Sequence, residues 1–369
     1  MEETTTRDMR HDPFLNSTEK HYYNDDYSEI LPSAAEDIPP ETKPDREEKK
    51  AIRRFYNIGG AAVILELAIM LILTNAFTFI ASLIIMSIND MSFSEYMGTN
   101  TVAKYISDSA ISPAITLMSY LFSNSLVFFL GMKLIKKKPS SLFKTTDLRF
   151  THIIKYLFIL CFIQVTVTYI VQTITDLMPY ADIIGGSDRI ISYSSDKSLA
   201  VSLMYACIVA PVTEELLYRG FIMKTFSKVS QRFGIIISAL FFALGHGNIA
   251  QFCLTLIMGL FMGYIDIKHN SLLPSMIIHF VNNTMVTVRS VVAMYAIDAL
   301  DIYDVVYSYF LIAAALVGLV VFIFFCKNET FPKSTIKQQM RCRNLFLTSP
   351  AAAAAVLIYA AIMFMTTFL

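Results

Sequence analysis

The sequence has no net charge and carries few charged residues beyond position 54. Acidic and basic residues number 30 each, and 23 of these 60 lie in residues 1–54. Proteins that bind nucleic acid present a basic surface to the phosphate backbone, and this charge balance predicts no such surface. The sequence also has no P-loop and no GxGxxG fingerprint, so nucleotide binding is not indicated.

Cysteine is also scarce and shows no metal-binding pattern. The five cysteines are odd in number, lie in or beside apolar runs and have no CxxC spacing. Neither a disulfide framework nor a zinc knuckle is therefore indicated. No HExxH sequence occurs, so the usual helix-borne zinc signature of metalloproteases is missing as well.

What the sequence has in abundance is apolar residues. Hydrophobic residues make up 55% of the chain and the mean hydropathy is +0.53, which is high for a soluble protein and indicates a membrane protein. Residues 1–54 differ from the rest, because they are rich in Asp, Glu, Thr, Tyr and Pro and have no apolar period. We predict a disordered tail over 1–54 and an all-α, polytopic membrane bundle over 55–369.

Apolar segments that approach the length needed to cross ~30 Å of hydrocarbon recur along the membrane domain. They lie at 58–88, 110–132, 152–175, 198–222, 233–248, 250–267, 272–297, 305–326 and 345–368. The segment 233–248 is short and ends in Gly245-His246-Gly247-Asn248, so it is expected to stop inside the membrane, next to a protein-enclosed cavity. The sequence therefore predicts eight or nine transmembrane segments.

The distribution of basic residues between loops predicts the orientation. Lysine and arginine are concentrated at 133–155 and 327–343, whereas 176–197 and 298–304 are acidic or nearly neutral. Basic loops stay in the cytoplasm, so we expect a multi-pass protein of the cell membrane with a cytoplasmic N-terminus. The polar segments of the second half have no counterpart in the first half, which counts against an inverted-repeat transporter.

Three charged residues lie inside the fourth apolar segment, where each isolated charge costs at least ~2.5 kcal/mol to insert. Glu215 and Arg219 are four residues apart on a helix and are predicted to pair. Glu214 is about 100° further round the helix axis and faces elsewhere. One arginine does not need two acids, so Glu214 is the stronger candidate for a chemical role.

Histidines occur in two further apolar segments. His246 ends the sequence Phe242-Ala243-Leu244-Gly245-His246, while His279 and Asn283 lie one helical turn apart on one face. Together with the double glutamate, they place the predicted functional core at 198–298. Glu66, in the first span, has no motif around it and is interpreted as a structural hydrogen-bonding group.

The patterns EExxxR, FxxxH and HxxxN occur here in that order on three apolar segments. This arrangement resembles the CAAX-processing and bacteriocin-immunity (Abi) family of intramembrane proteases, which includes the type II CAAX prenyl endopeptidases. The resemblance covers roughly 198–298. It implies an all-helical core whose polar residues converge below the cytoplasmic surface and hydrolyse peptide bonds of prenylated or other membrane-associated protein or peptide substrates.

The residues offer the groups that peptide hydrolysis requires, which are a base, an activated water and donors for the oxyanion. Glu214 suits the base, with His246 orienting the water. His279 and Asn283 suit oxyanion stabilisation. Glu215 and Arg219 would support the helix that carries Glu214.

Two alternatives remain open at this point. In the first, zinc bound by Glu214, His246 and His279 activates the water, although the metal-free mechanism, which needs no cofactor, is favoured by the missing HExxH. In the second, the protein is not an enzyme but a membrane scaffold or a bacteriocin self-immunity protein. Nucleic acid is not an expected partner in either case, and the lipid bilayer is.

Overall fold

A computed structural model of the chain describes residues 46–98, 100–144, 148–177, 195–227, 230–329 and 336–368. Within these ranges the chain forms twelve helices and no strand, which confirms the all-α prediction. In chain order they are α1 (Arg46–Ile88), α2 (Phe93–Gly98), α3 (Thr101–Ser107), α4 (Ile111–Leu134), α5 (Phe150–Asp176), α6 (Asp196–Phe226), α7 (Gln231–Gly245), α8 (Ile249–His269), α9 (Leu273–Tyr295), α10 (Leu300–Asn328), α11 (Ile336–Leu347) and α12 (Pro350–Phe368).

Seven of these helices are long and apolar enough to cross a membrane by length and composition, namely α1, α4, α5, α6, α8, α10 and α12. Helix α7 has 15 residues, about 22 Å at 1.5 Å per residue, so it is short for a span, as predicted. Helix α9 is 23 residues long, but its histidine, asparagine and arginine residues lower its hydropathy. Helices α7 and α9 account for the difference between the seven candidate spans and the eight or nine transmembrane segments that the sequence predicts.

The predicted tail and loops agree only in part with the helix boundaries. Helix α1 begins at Arg46, so residues 46–54 are helical and the prediction of disorder was wrong for them. Residues 1–45 lie outside the described residues. Residues 336–343 of the predicted basic loop 327–343 belong to α11, whose Cys342 and Phe346 are buried in the core. The orientation of the chain in the membrane stays a prediction.

The outer surface of the bundle is apolar. Helix α10, for example, exposes Phe310, Leu316, Val320 and Phe324. Exposed apolar side chains along a helix of span length are what contact with lipid requires, since lipid tails are as apolar as leucine. The chain is a multi-pass membrane protein.

Helix α6 lies inside the bundle, where its side chains meet several other helices. Phe221 is fully buried and packs directly against Gly131 of α4. At the end of α6, Phe226 joins an aromatic cluster with Tyr56 and Phe346, whose ring centroids lie 5.3 and 5.6 Å from it. This cluster ties α6 to α1 and α11, so α6 has little freedom to shift along its axis.

Helices α1 and α12 approach closely because a glycine lies between them. The Cα of Gly60 faces the backbone of Ala351 and Ala352 so directly that an added Cβ would overlap with it. The same contact lets Asn57 Oδ1 accept a hydrogen bond from the backbone N–H of Ala351 (3.0 Å), one of the N–H groups in the first turn of α12 that has no partner within the helix. Small residues that allow two backbones to meet are a common way to pack helices in membranes.

Replacing this glycine is expected to separate α1 from α12. Gly60→Val should lower stability by about 1–3 kcal/mol or more, because the added methyl groups overlap with a backbone that cannot rotate away. The matched control is Ala61→Val, which adds the same side chain at the adjacent, exposed position. Thermal denaturation in detergent, followed by size exclusion, measures the effect, and equal midpoints for the two variants would contradict the packing described.

Candidate functional site

Glu214 and His246 line one cavity inside the bundle, with a volume of about 240 Å³. The cavity lies between α1, α4, α6, α7, α8 and α12. Its other lining residues are Glu66, Leu67, Met70, Tyr120, Asn124, Tyr205, Tyr218, Phe242, Gly245, Gln251 and Tyr359. A volume of this size holds several water molecules, each of which occupies about 30 Å³ in the liquid, and the polar lining can hydrogen-bond to them.

Two neighbouring residues of α6 point in different directions. The Glu215 side chain is fully buried, whereas that of Glu214 is 15% exposed and faces the cavity. Asn124 of α4 holds this part of α6 by donating from Nδ2 to Thr213 Oγ1 (3.0 Å). The 100° step between successive helical residues explains the difference, as the sequence predicted.

His246 lies where α7 ends and the chain turns into α8. Gly247 has a φ of +73°, in the left-handed region that glycine adopts without strain. Asn248 then caps α8 by accepting a hydrogen bond from the backbone N–H of Gln251 (2.8 Å). The Nδ1 atom of His246 donates to the carbonyl oxygen of Phe242 (2.9 Å), since a carbonyl oxygen can only accept. In the neutral ring, Nε2 is therefore the acceptor.

Glu215 and Arg219 form the predicted pair. Arg219 Nη1 lies 3.2 Å from Glu215 Oε1, and both side chains are fully buried. The guanidinium also lies over the Phe242 ring, 4.1 Å from its centroid. A buried charge in this position would be very costly without a partner, which explains the pairing. The contact of the guanidinium with Phe242 holds α6 against α7.

His279 of α9 lies between the two glutamates. Its Nδ1 atom is 2.9 Å from Glu215 Oε1, and its Nε2 atom is 3.8 Å from Glu214 Oε2. The ring is itself buried, 5.8 Å from the ring of Phe242. His279 thus extends the Glu215–Arg219 pair to the edge of the cavity, although it is not among the residues that line the cavity.

Asn283 donates a hydrogen bond to a backbone carbonyl of α6 that has no partner within the helix. Over Met204–Val209 this helix is wound as a π-helix, in which the N–H of Ala210 donates to Tyr205 O. In the same register the donor for the next carbonyl, Ala206 O, would be the backbone nitrogen of Pro211, which has no hydrogen. Asn283 Nδ2 donates to Ala206 O instead (2.8 Å). The oxyanion role of Asn283 stays a prediction.

The structure brings residues to the cavity that the sequence motifs did not identify. Glu66 of α1 lines it and is buried, with Oε1 accepting from Ser123 Oγ (3.4 Å) and Oε2 from Tyr359 OH (3.2 Å). This agrees with the predicted hydrogen-bonding role but also places Glu66 in the same cavity as Glu214. The only available signal was the cost of an acid in an apolar span.

A second buried acid near the glutamate pair was also missed. Asp266 of α8 is fully buried and accepts hydrogen bonds from Ser275 Oγ (2.6 Å) and from the Ser275 backbone N–H (3.2 Å). Ser275 lies in the first turn of α9, where backbone N–H groups have no partner within the helix. Asp266 therefore fixes the start of the helix that carries His279.

The candidate zinc ligands do not form a binding site in this arrangement. In the part of the chain that the structure describes, no three His, Cys, Asp or Glu side chains are placed to hold a metal ion. Glu214 and His246 line the cavity, whereas His279 does not, and its Nε2 atom lies 3.8 Å from Glu214 Oε2. The choice between the metal-free and the zinc mechanism stays a prediction.

Comparison with known proteins finds a match in the segment that carries these residues. Residues 196–285 match the family model described as Rce1-like, type II CAAX prenyl endopeptidase Rce1-like. The match confirms the family resemblance. It covers α6, α7 and α8 and the part of α9 that carries His279 and Asn283, about a quarter of the chain. In two other comparisons, no curated protein and no solved structure matches. At a general level, the Rce1-like match supports a membrane protease of the CAAX type.

The buried pair makes a specific prediction about stability. Glu215→Gln leaves Arg219 charged and buried without a carboxylate partner, so the protein should lose about 3–5 kcal/mol of stability. The double variant Glu215→Gln with Arg219→Met removes both charges and should recover a large part of this loss. Thermal midpoints of the two single variants and the double variant, measured in detergent, give the coupling. Additive losses would contradict the pairing.

Proposed function

We propose that the protein is an intramembrane endopeptidase that hydrolyses peptide bonds of membrane-associated substrates, including prenylated proteins and small peptides. The observation that carries the proposal is that Glu214, a carboxylate, and His246, an imidazole with its Nε2 atom as acceptor, line one polar cavity inside a membrane bundle. The Rce1-like match over the same helices supports it. We place the protein in the cell membrane with its N-terminus in the cytoplasm.

In the proposed mechanism, Glu214 acts as the general base. It takes one proton from a water molecule that His246 orients, and the resulting hydroxide attacks the carbonyl carbon of the substrate. We propose that the tetrahedral oxyanion accepts hydrogen bonds from His279 and Asn283, which do not line the cavity in this arrangement and have to turn towards the bound substrate. The C–N bond then breaks, and the proton held by Glu214 passes to the leaving amine.

We assign Glu215 and Arg219 a positioning role. Both are fully buried and neither lines the cavity, so they do not contact the substrate in this arrangement. They hold the backbone of α6 and, through His279, the edge of the cavity beside Glu214. Catalytic groups have to be held to within about 0.5 Å of the productive geometry, which buried partners of this kind achieve.

The proposed role of Glu214 is tested by substitution with glutamine. Glu214→Gln keeps the shape and hydrogen-bonding capacity of the side chain but cannot accept the proton. Cleavage of a prenylated peptide in proteoliposomes should therefore fall by roughly 10²–10⁴-fold, with the folded yield unchanged. The matched control is Asp301→Asn, which neutralises an exposed acid of α10. Activity within a few-fold of the wild type in Glu214→Gln would rule out the general base.

Removal of metal separates the two mechanisms of water activation. We propose a metal-free site, so treatment of the purified protein with a zinc chelator should leave the rate of cleavage unchanged. Zinc that co-purifies at about one per chain and restores activity after chelation would contradict this proposal. If neither the wild type nor any variant cleaves membrane-anchored peptides, the alternative of a scaffold or immunity protein would replace the enzyme.

A further inference from the structure

The cavity has an unusual balance of charged groups for a site that binds peptides. Its lining includes two carboxylates, Glu66 and Glu214, and one imidazole, His246, while no lysine or arginine occurs among the described residues that line it. The nearby guanidinium of Arg219 is fully buried and paired with Glu215. Among the described residues, no lysine or arginine is therefore paired with either carboxylate of the cavity, and the histidine nearest to Glu214 is His279, whose Nε2 atom lies 3.8 Å from Glu214 Oε2.

Glu66 is not used by the proposed mechanism, yet it is held firmly in the cavity wall. Its relative exposure is 6%, and the two hydroxyl groups that donate to it come from α4 and α12. A carboxylate has about four acceptor sites, so one hydrogen bond to each oxygen leaves capacity for a ligand. The described residues offer Glu66 no ion-pair partner.

The position of Glu66 also separates it from the matched part of the chain. Glu66, Ser123 and Tyr359 all lie outside residues 196–285. The hydrolytic groups and this carboxylate therefore reach one cavity from different parts of the sequence. Glu66 thus adds an acid to the cavity from outside the matched segment, and an acid in this position is suited to binding part of the substrate.

The electrostatics of the cavity favour one sign of charge. Leu67, Met70 and Phe242 make part of the wall apolar, and interactions between charges are stronger beside apolar groups than in water. A cation that enters is attracted by both carboxylates, whereas a carboxylate of the substrate is repelled by them. Like charges brought together in such a site are strongly unfavourable.

We propose that Glu66 binds a lysine or arginine side chain of the substrate, a few residues from the peptide bond that is cleaved. This inference rests on the proposed function and adds a substrate class to it. Tyr359 and Ser123 orient the Glu66 carboxylate towards the bound cation. The substrate is thus a membrane-associated peptide with a basic residue beside the scissile bond.

The test uses three membrane-anchored peptides that differ at one position beside the cleaved bond, which is lysine, norleucine or glutamate. With the wild-type protein in proteoliposomes, kcat/KM should be at least about tenfold higher for lysine than for norleucine, and lowest for glutamate. In Glu66→Gln the ratio of lysine to norleucine should fall close to one. In the control variant Asp301→Asn, which neutralises an exposed acid of α10 and leaves Glu66 and its two hydrogen-bond donors in place, the ratio should stay at its wild-type value.

Two results would overturn the assignment of Glu66. One is a wild-type protein that does not prefer lysine to norleucine, and the other is a Glu66→Gln variant in which all three peptides are cleaved more slowly by the same factor, since that is the result of a purely structural role. If the wild type cleaves none of the peptides, the proposed function fails. Competition binding of the lysine and norleucine peptides to wild type and Glu66→Gln then still decides the matter, because equal binding of the two peptides to the wild type contradicts recognition by Glu66.

Discussion

The buried ion pair between Glu215 and Arg219 is the interaction on which the rest of the site depends. Both side chains are fully buried in a helix of span length, so neither charge is tolerable without the other. The pair connects outward to Phe242 through the guanidinium and to His279 through the carboxylate. It therefore links α6 to α7 and α9 and fixes the face of α6 that presents Glu214 to the cavity.

The winding of α6 adds a second constraint. The π-helical register frees Ala206 O, Pro211 cannot satisfy it, and Asn283 does so from α9. In an α-helical register Pro211 would leave Cys207 O, rather than Ala206 O, without a backbone partner. π-helical segments are rare and often occur at functional sites, and α6 contains two of them, Met204–Val209 and Glu215–Met223, the second of which carries Glu215 and Arg219. Asn283 and His279 of α9 thus stabilise the backbone and the ion pair of α6, in addition to the chemical roles proposed for them.

Some of this arrangement could be predicted from the sequence, and some could not. The 3.6-residue period of an α-helix predicted that Glu215 pairs with Arg219 and that Glu214 faces elsewhere, and the local spacing keeps the pair together although residues 215–223 are wound as a π-helix. The cost of polar groups in a span identified His246 and His279. The contact of Glu66 with Tyr359, in contrast, joins residues 293 positions apart. It depends on the close approach of α1 and α12 at Gly60, which no pattern in the sequence predicts. The π-helical register and the role of α11 in the core depend in the same way on tertiary packing.

The central claim is that water hydrolyses a peptide bond in the cavity that Glu214 and His246 line. The most direct measurement is mass spectrometry of a prenylated peptide after incubation with the purified protein, in proteoliposomes prepared in water enriched in oxygen-18. Our account predicts a product whose new carboxylate carries one oxygen atom from the solvent, and none of this product when Glu214 is replaced by glutamine. A peptide recovered intact after prolonged incubation with wild-type protein would contradict the account, as would equal product from the variant.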